Sequence, residues 1–177
     1  AARHRRGVVR ASPGWPGTDS PAQKVVLIAR LHRQEYCQRL PLSIAAAWDF
    51  FSRPDNLARI TPPDLGFEVT SPLPERMYAG MIVTYRVRPF GSLRVPWATE
   101  ITHVREPEFF VDEQRSGPYR FWHHQHHCRA TPDGVEMTDL VHYQLPFAPL
   151  GDLLAGRSVE RRVKAIFAYR RRALEEL

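Results

Sequence analysis

Four histidines crowd into five residues, His123-His124-Gln125-His126-His127, and an aspartate, Asp139, follows within a second apolar-polar run. Imidazoles beside a carboxylate can hold a metal ion, shuttle a proton or form a buried hydrogen-bonded network. Which of these is open to them depends on which side chains share a face. Thr131-Pro132-Asp133-Gly134 is a turn signal, with proline presetting φ and glycine accepting a positive one. A four-residue loop there joins two strands with residue 130 opposite 135. Cys128 then faces Met137, His126 faces Asp139, His124 faces Val141 and Trp122 faces Tyr143. Side chains alternate along a strand, so these eight form one mostly apolar, inward face. His123, Gln125, His127 and Arg129 fall on the other, nearly all polar face with Glu136, Thr138, Leu140, His142 and Gln144. His124, His126 and Asp139 are the exceptions inside, and buried polar groups need partners.

Three chemistries compete for this trio. His124 and His126 lie about 7 Å apart at strand rise, so they could share a metal with Asp139 as third ligand. A hydrogen-bonded network that orients a ligand is the simpler reading and is preferred; no cofactor and no metal follow from the motifs. Acid–base catalysis is the remaining possibility, with a histidine removing a proton α to a carbonyl, Asp139 orienting it and Tyr85 or Tyr143 donating to the oxyanion. Asp112, Glu113 and Gln114 stay undecided. If Phe110 points inward, Asp112 and Gln114 do as well; if Val111 does, Glu113 takes their place.

The elements that must position these groups are legible in outline. Glu35–Leu42 alternates as a first strand, Ser43 N-caps a short helix over Ile44–Phe51, and Leu57–Ile60 forms a second one stopped by Pro62-Pro63. Strands are predicted at about 66–71, 79–89, 94–105, 108–116, 119–130 and 134–145. Val159, Val163, Ile166, Phe167, Arg170 and Leu174 then mark one face of a long C-terminal helix, with Arg161, Arg162, Arg171 and Arg172 on its solvated side. Seven antiparallel strands need their apolar face covered, and only this helix is long enough to cover it. An α+β domain follows, a curved sheet around one helix with a cavity between them.

Charge narrows the partners. The chain has 177 residues and a net charge of +6. Residues 1–34 hold seven of its 25 basic side chains and one of its 19 acids, so the remainder is balanced at 18 of each sign. A basic stripe on the domain is absent, which disfavours nucleic acid. Residues 1–34 are expected to be a disordered basic extension and 35–177 the ligand-binding domain. Val25–Ala29 is too short for a membrane span, the two cysteines set no disulfide framework, and the cytoplasm is the default location. Phosphate-cradling glycine loops, nucleophile elbows and paired-cysteine zinc motifs are missing.

The element order resembles the helix-grip superfamily of START domains, polyketide cyclase/dehydrase-like proteins and plant pollen allergens. Within it, the chain looks most like the bacterial SRPBCC branch. The resemblance covers about residues 35–175. It rests on Ala47-Trp48-Asp49-Phe50-Phe51, Asn56-Leu57, Ile60-Thr61-Pro62-Pro63, Gly80 to Tyr85, Trp97 to Ile101, Phe110 to Gln114, Gly117-Pro118-Tyr119, Trp122-His123-His124 with His126, and Asp139 to Tyr143 before Leu145-Pro146. The arginine-rich extension departs from the pattern, and Cys128 stands where a phenylalanine is expected. The resemblance implies a helix-grip fold and an apolar ligand such as a lipid, quinone or polyketide. Tyr85, Trp97, Thr99, Trp122, His124, His126, Asp139, Tyr143 and Phe167 would contact it. A cyclase or dehydratase using the His–Asp pair, and a partner-binding protein with a vestigial cavity, are the alternatives. Oligomeric state is left open.

Overall fold

The computed structural model describes residues 30–89 and 91–176. Strand β1 (His32–Leu40) leads into helix α1 (Ile44–Phe51) and two 3-10 turns, Pro54–Ile60 and Pro63–Leu65. Then come β2 (Glu68–Val69), β3 (Met81–Val87), β4 (Val95–Arg105), β5 (Phe109–Ser116), β6 (Phe121–Thr131), β7 (Gly134–Gln144) and α2 (Leu150–Glu175). The strands form a single antiparallel sheet in the order β1-β7-β6-β5-β4-β3-β2. With its long C-terminal helix, it is a helix-grip α+β fold.

Local chemistry explains most of the boundaries. The Ser43 hydroxyl accepts from the Ala46 N–H at 3.1 Å and caps α1. The segment expected as a helix at Leu57–Ile60 is 3-10 and starts earlier, with Pro54 in its first turn. β2 is only two residues long: Gly66, at φ +51°, turns the chain in just before it, where a Cβ would strike the Arg88 side chain. The β6–β7 hairpin has the expected register and one further pair, Thr131 opposite Gly134, leaving Pro132-Asp133 as the loop. Gly134 sits at φ +143°, and a Cβ there would lie 2.1 Å from the Leu40 carbonyl oxygen of β1.

β1 begins at His32, so residues 32–34, assigned above to the basic extension, are strand. The expectation for residues 1–29 lies outside the described residues. α2 buries Val159, Val163, Phe167, Arg170 and Leu174 against the sheet, and Ile166 is half-buried beside them. Arg162, expected on the solvated side, instead reaches across to Asp64 with Nη1 to Oδ2 at 2.6 Å. Trp48 packs edge-on against Phe110, closing the α1 end of the core. Among the described residues, no helix is long and apolar enough to cross a membrane.

Candidate functional site

Three adjacent strands bring the polar groups together. Asp112 of β5 lies directly opposite His124 of β6, and His126 of β6 lies directly opposite Asp139 of β7. The two carboxylates thus flank the histidine pair from both sides, offset by one inward position. Phe110, opposite His126, stacks on its ring at 4.0 Å between centroids. Phe110 points inward, and the question left open above is answered: Asp112 joins the interior, while Glu113 faces out to His123 Nδ1 at 2.8 Å. Gln114 turns to the β5–β6 connection, where its amide donates to the Tyr119 carbonyl at 2.6 Å.

The contacts are close and shared. Asp139 Oδ1 lies 3.0 Å from His124 Nε2 and 2.8 Å from His126 Nδ1. Asp112 Oδ2 lies 2.8 Å from His126 Nε2 and 3.3 Å from His124 Nδ1. The two imidazole centroids are 3.7 Å apart. From α2, Arg170 places Nη1 3.8 Å from Asp139 Oδ1 and packs its guanidinium over the rings of Phe51 and Phe167. His124, His126, Asp139 and Arg170 are all buried.

Burial alone would raise both carboxylates, but their partners outweigh it. The Arg170 charge and the bonds from both histidines hold Asp139 well below the usual carboxylate range. His124 and His126 do the same for Asp112. For the histidines, burial pushes both down. Asp112 and Asp139 reverse this at His124, which is raised, but not at His126, which also feels the His124 charge and stays lowered. Arg170 and the two imidazoles thus partner two carboxylates, as deep burial requires.

The cluster lies against a cavity of about 220 Å³ bounded by β3, β4, β5, β6, the segment 50–69 and α2. Tyr85, Trp97, Thr99, Trp122, His124, His126 and Phe167 line it, together with Asp112. Tyr85 and Thr99 satisfy each other's hydroxyls at 2.6 Å. Trp97 is different: its Nε1 is buried with no partner among the described residues.

Two expected ligand contacts lie elsewhere. Asp139 does not line this cavity; it borders a second one between β1 and α2, beside Tyr36, Phe167 and Arg170. Tyr143 is fully buried behind β1, where His32, opposite it in register, stacks on its ring and Gln34 Nε2 donates to its hydroxyl at 3.2 Å. His32 and Gln34, at the start of β1, are the residues of that strand that cover it. Asp112 and Arg170 were the members of the cluster that sequence reasoning left unplaced. The Phe110–Gln114 alternation carried the signal for the first, and a lone arginine within an apolar helical stripe carried it for the second.

Cys128 sits just beyond His126 on the same face and is buried, whereas Cys37 is exposed. Burial, with the Asp139 charge adding to it, pushes the Cys128 thiol up to about 11. At pH 8 only about a thousandth of it would be thiolate. Iodoacetamide at that pH is therefore expected to label Cys37 in the folded protein and to reach Cys128 only after denaturation, as read by peptide mass spectrometry.

No protein-family model matches the chain, and no curated protein matches it. Solved structures do. The Mll3558 protein from Rhizobium loti superposes with a TM-score of 0.62 at 11% identity, over 82% of this chain and 99% of that one. A protein from Arthrobacter aurescens gives 0.62 at 12% identity, over 82% and 87%. Ara h 8.0201 gives 0.59 at 14% identity, over 84% and 100%. At such identities the likeness is one of architecture, and it places the chain among helix-grip folds.

Proposed function

We propose that the protein binds a small apolar or aromatic molecule, of lipid, quinone or polyketide character, in the cavity between sheet and C-terminal helix. The observation that carries this reading is the cavity itself: apolar and aromatic walls that end on a buried His124–His126 pair. A dry cavity of roughly 150 Å³ takes up benzene, so 220 Å³ suits a larger ring system or a short acyl chain. The walls supply affinity through burial, at about 25 cal/mol per Å² of apolar surface. The unpartnered Trp97 Nε1 favours a ligand carrying a hydrogen-bond acceptor, such as a carbonyl oxygen.

The test is titration with an apolar, environment-sensitive fluorophore. Saturable one-to-one binding is expected, weakened at least ~10-fold (about 1.4 kcal/mol) by Val83→Trp, which fills the cavity from β3. Unchanged binding by a folded Val83→Trp variant would contradict the reading. A second reading, proton transfer of the cyclase or dehydratase type, draws on His126 being a neutral base at the cavity wall. It requires that Asp139→Asn abolish turnover of a bound substrate while leaving binding largely intact.

A further inference from the structure

Each imidazole of the pair is hydrogen-bonded through its Nε2, His124 to Asp139 Oδ1 at 3.0 Å and His126 to Asp112 Oδ2 at 2.8 Å. On one side, the single oxygen Asp139 Oδ1 faces both His124 Nε2 and His126 Nδ1, at 3.0 and 2.8 Å. An ionised carboxylate only accepts, so the hydrogen bond fixes an N–H at His124 Nε2, whereas His126 Nδ1 also has the donor Arg170 Nη2 at 3.4 Å. His124 Nδ1 and His126 Nε2 both face the other shared oxygen, Asp112 Oδ2, at 3.3 and 2.8 Å. Once those two nitrogens are deprotonated, they and Asp112 Oδ2 are three acceptors side by side, as a cation requires. A divalent metal ion would serve all three.

We infer that Asp112, His124 and His126 form a binding site for a first-row divalent cation, Zn²⁺ or Fe²⁺, on the wall of the cavity. Their ligand atoms all lie within 4.8 Å of one another, and donors around a tetrahedral zinc ion sit about 3.3 Å apart. Two imidazoles and one carboxylate are the donor set of open, catalytic zinc and non-haem iron sites. Asp139 is not a ligand here. It occupies the position of a supporting carboxylate, hydrogen-bonded to His124 Nε2 and 2.8 Å from His126 Nδ1, and Arg170 partly neutralises it. Asp112, Asp139 and Arg170 leave one net negative charge to attract the ion. All three ligands line the cavity, whereas Asp139 does not, so the free coordination position points at the cavity's occupant. The proposal deepens the cavity-binding reading and rests on it for the use of that open position. The metal itself is measured without any organic ligand.

The experiment uses the full chain, stripped with a chelator and titrated with Zn²⁺ against a chromophoric competitor, and separately with Co²⁺. One ion per chain and visible d–d bands of four- or five-coordinate Co²⁺ are expected. Asp112→Asn should weaken Zn²⁺ binding at least ~100-fold, and Asp139→Asn by roughly 10–100-fold. His123→Gln, on the outer face beside Glu113 and His142, should leave it unchanged. Histidine ¹⁵N spectra of the wild type keep the test open should Asp112→Asn fail to fold: Zn²⁺ must perturb His124 Nδ1 and His126 Nε2. Binding that survives Asp112→Asn, that is lost with His123→Gln, or that shifts His123 and His142 instead would overturn the proposal, as would the absence of stoichiometric binding. Zinc binding without fluorophore binding would refute only the cavity reading, and the reverse would refute only this one.

Discussion

Arg170→Met is expected to destabilise the fold by about 3–5 kcal/mol, the cost of stranding a buried charge whose partner has been removed. Arg170 and Asp139 are both buried, and the guanidinium is the cation that α2 supplies to the two-carboxylate cluster. Methionine preserves much of the packing against Phe51 and Phe167, so the loss reports on charge rather than volume. Asp139→Asn creates the opposite imbalance, leaving Arg170 without its carboxylate. The double variant Arg170→Met/Asp139→Asn should therefore be more stable than the sum of the single losses predicts. Urea denaturation of the four proteins measures this. Strictly additive losses would mean that the two groups do not sense each other.

Phe167→Ala is expected to cost a similar amount, about 3–5 kcal/mol. The ring stacks on Tyr36 at 4.2 Å between centroids, meets His124 edge-on at 5.4 Å and belongs to the core formed by Val141, Tyr143, Val159 and Val163. It also borders both cavities, so its removal takes away a wall common to the two. The variant should accept bulkier fluorophores than the wild type while melting at lower temperature. A loss below about 1 kcal/mol would show that α2 does not grip the sheet at this point.

The parts of this molecule that could be read from sequence are those set by period and local chemistry. The β6–β7 register followed from one turn and a period of two, and it placed His126 opposite Asp139. The α2 face followed from a period of 3.6. What escaped was set by neighbours distant in sequence. Asp112 could be placed only once β5 was known to pair with β6 in the register that puts it beside His124. Arg170 was visible within an apolar stripe, but its partner lies on another element. Tyr143 looked available because His32 and Gln34 were counted with the basic extension, although they are the start of the strand that covers it. Arg162 has the spacing of a solvated residue, and only the fold brings Asp64 within its reach.

The central claim is that the cavity beneath α2, and not the protein's outer surface, takes up the ligand. The surface offers a competitor: Leu150, Leu153 and Leu154 at the start of α2 are exposed, and apolar probes adhere to such patches. Intermolecular nuclear Overhauser effects from the bound fluorophore separate the two sites directly. Contacts to Val83, Thr99, Trp97 and Phe167 are predicted. Contacts confined to Leu150, Leu153 and Leu154 would contradict the account.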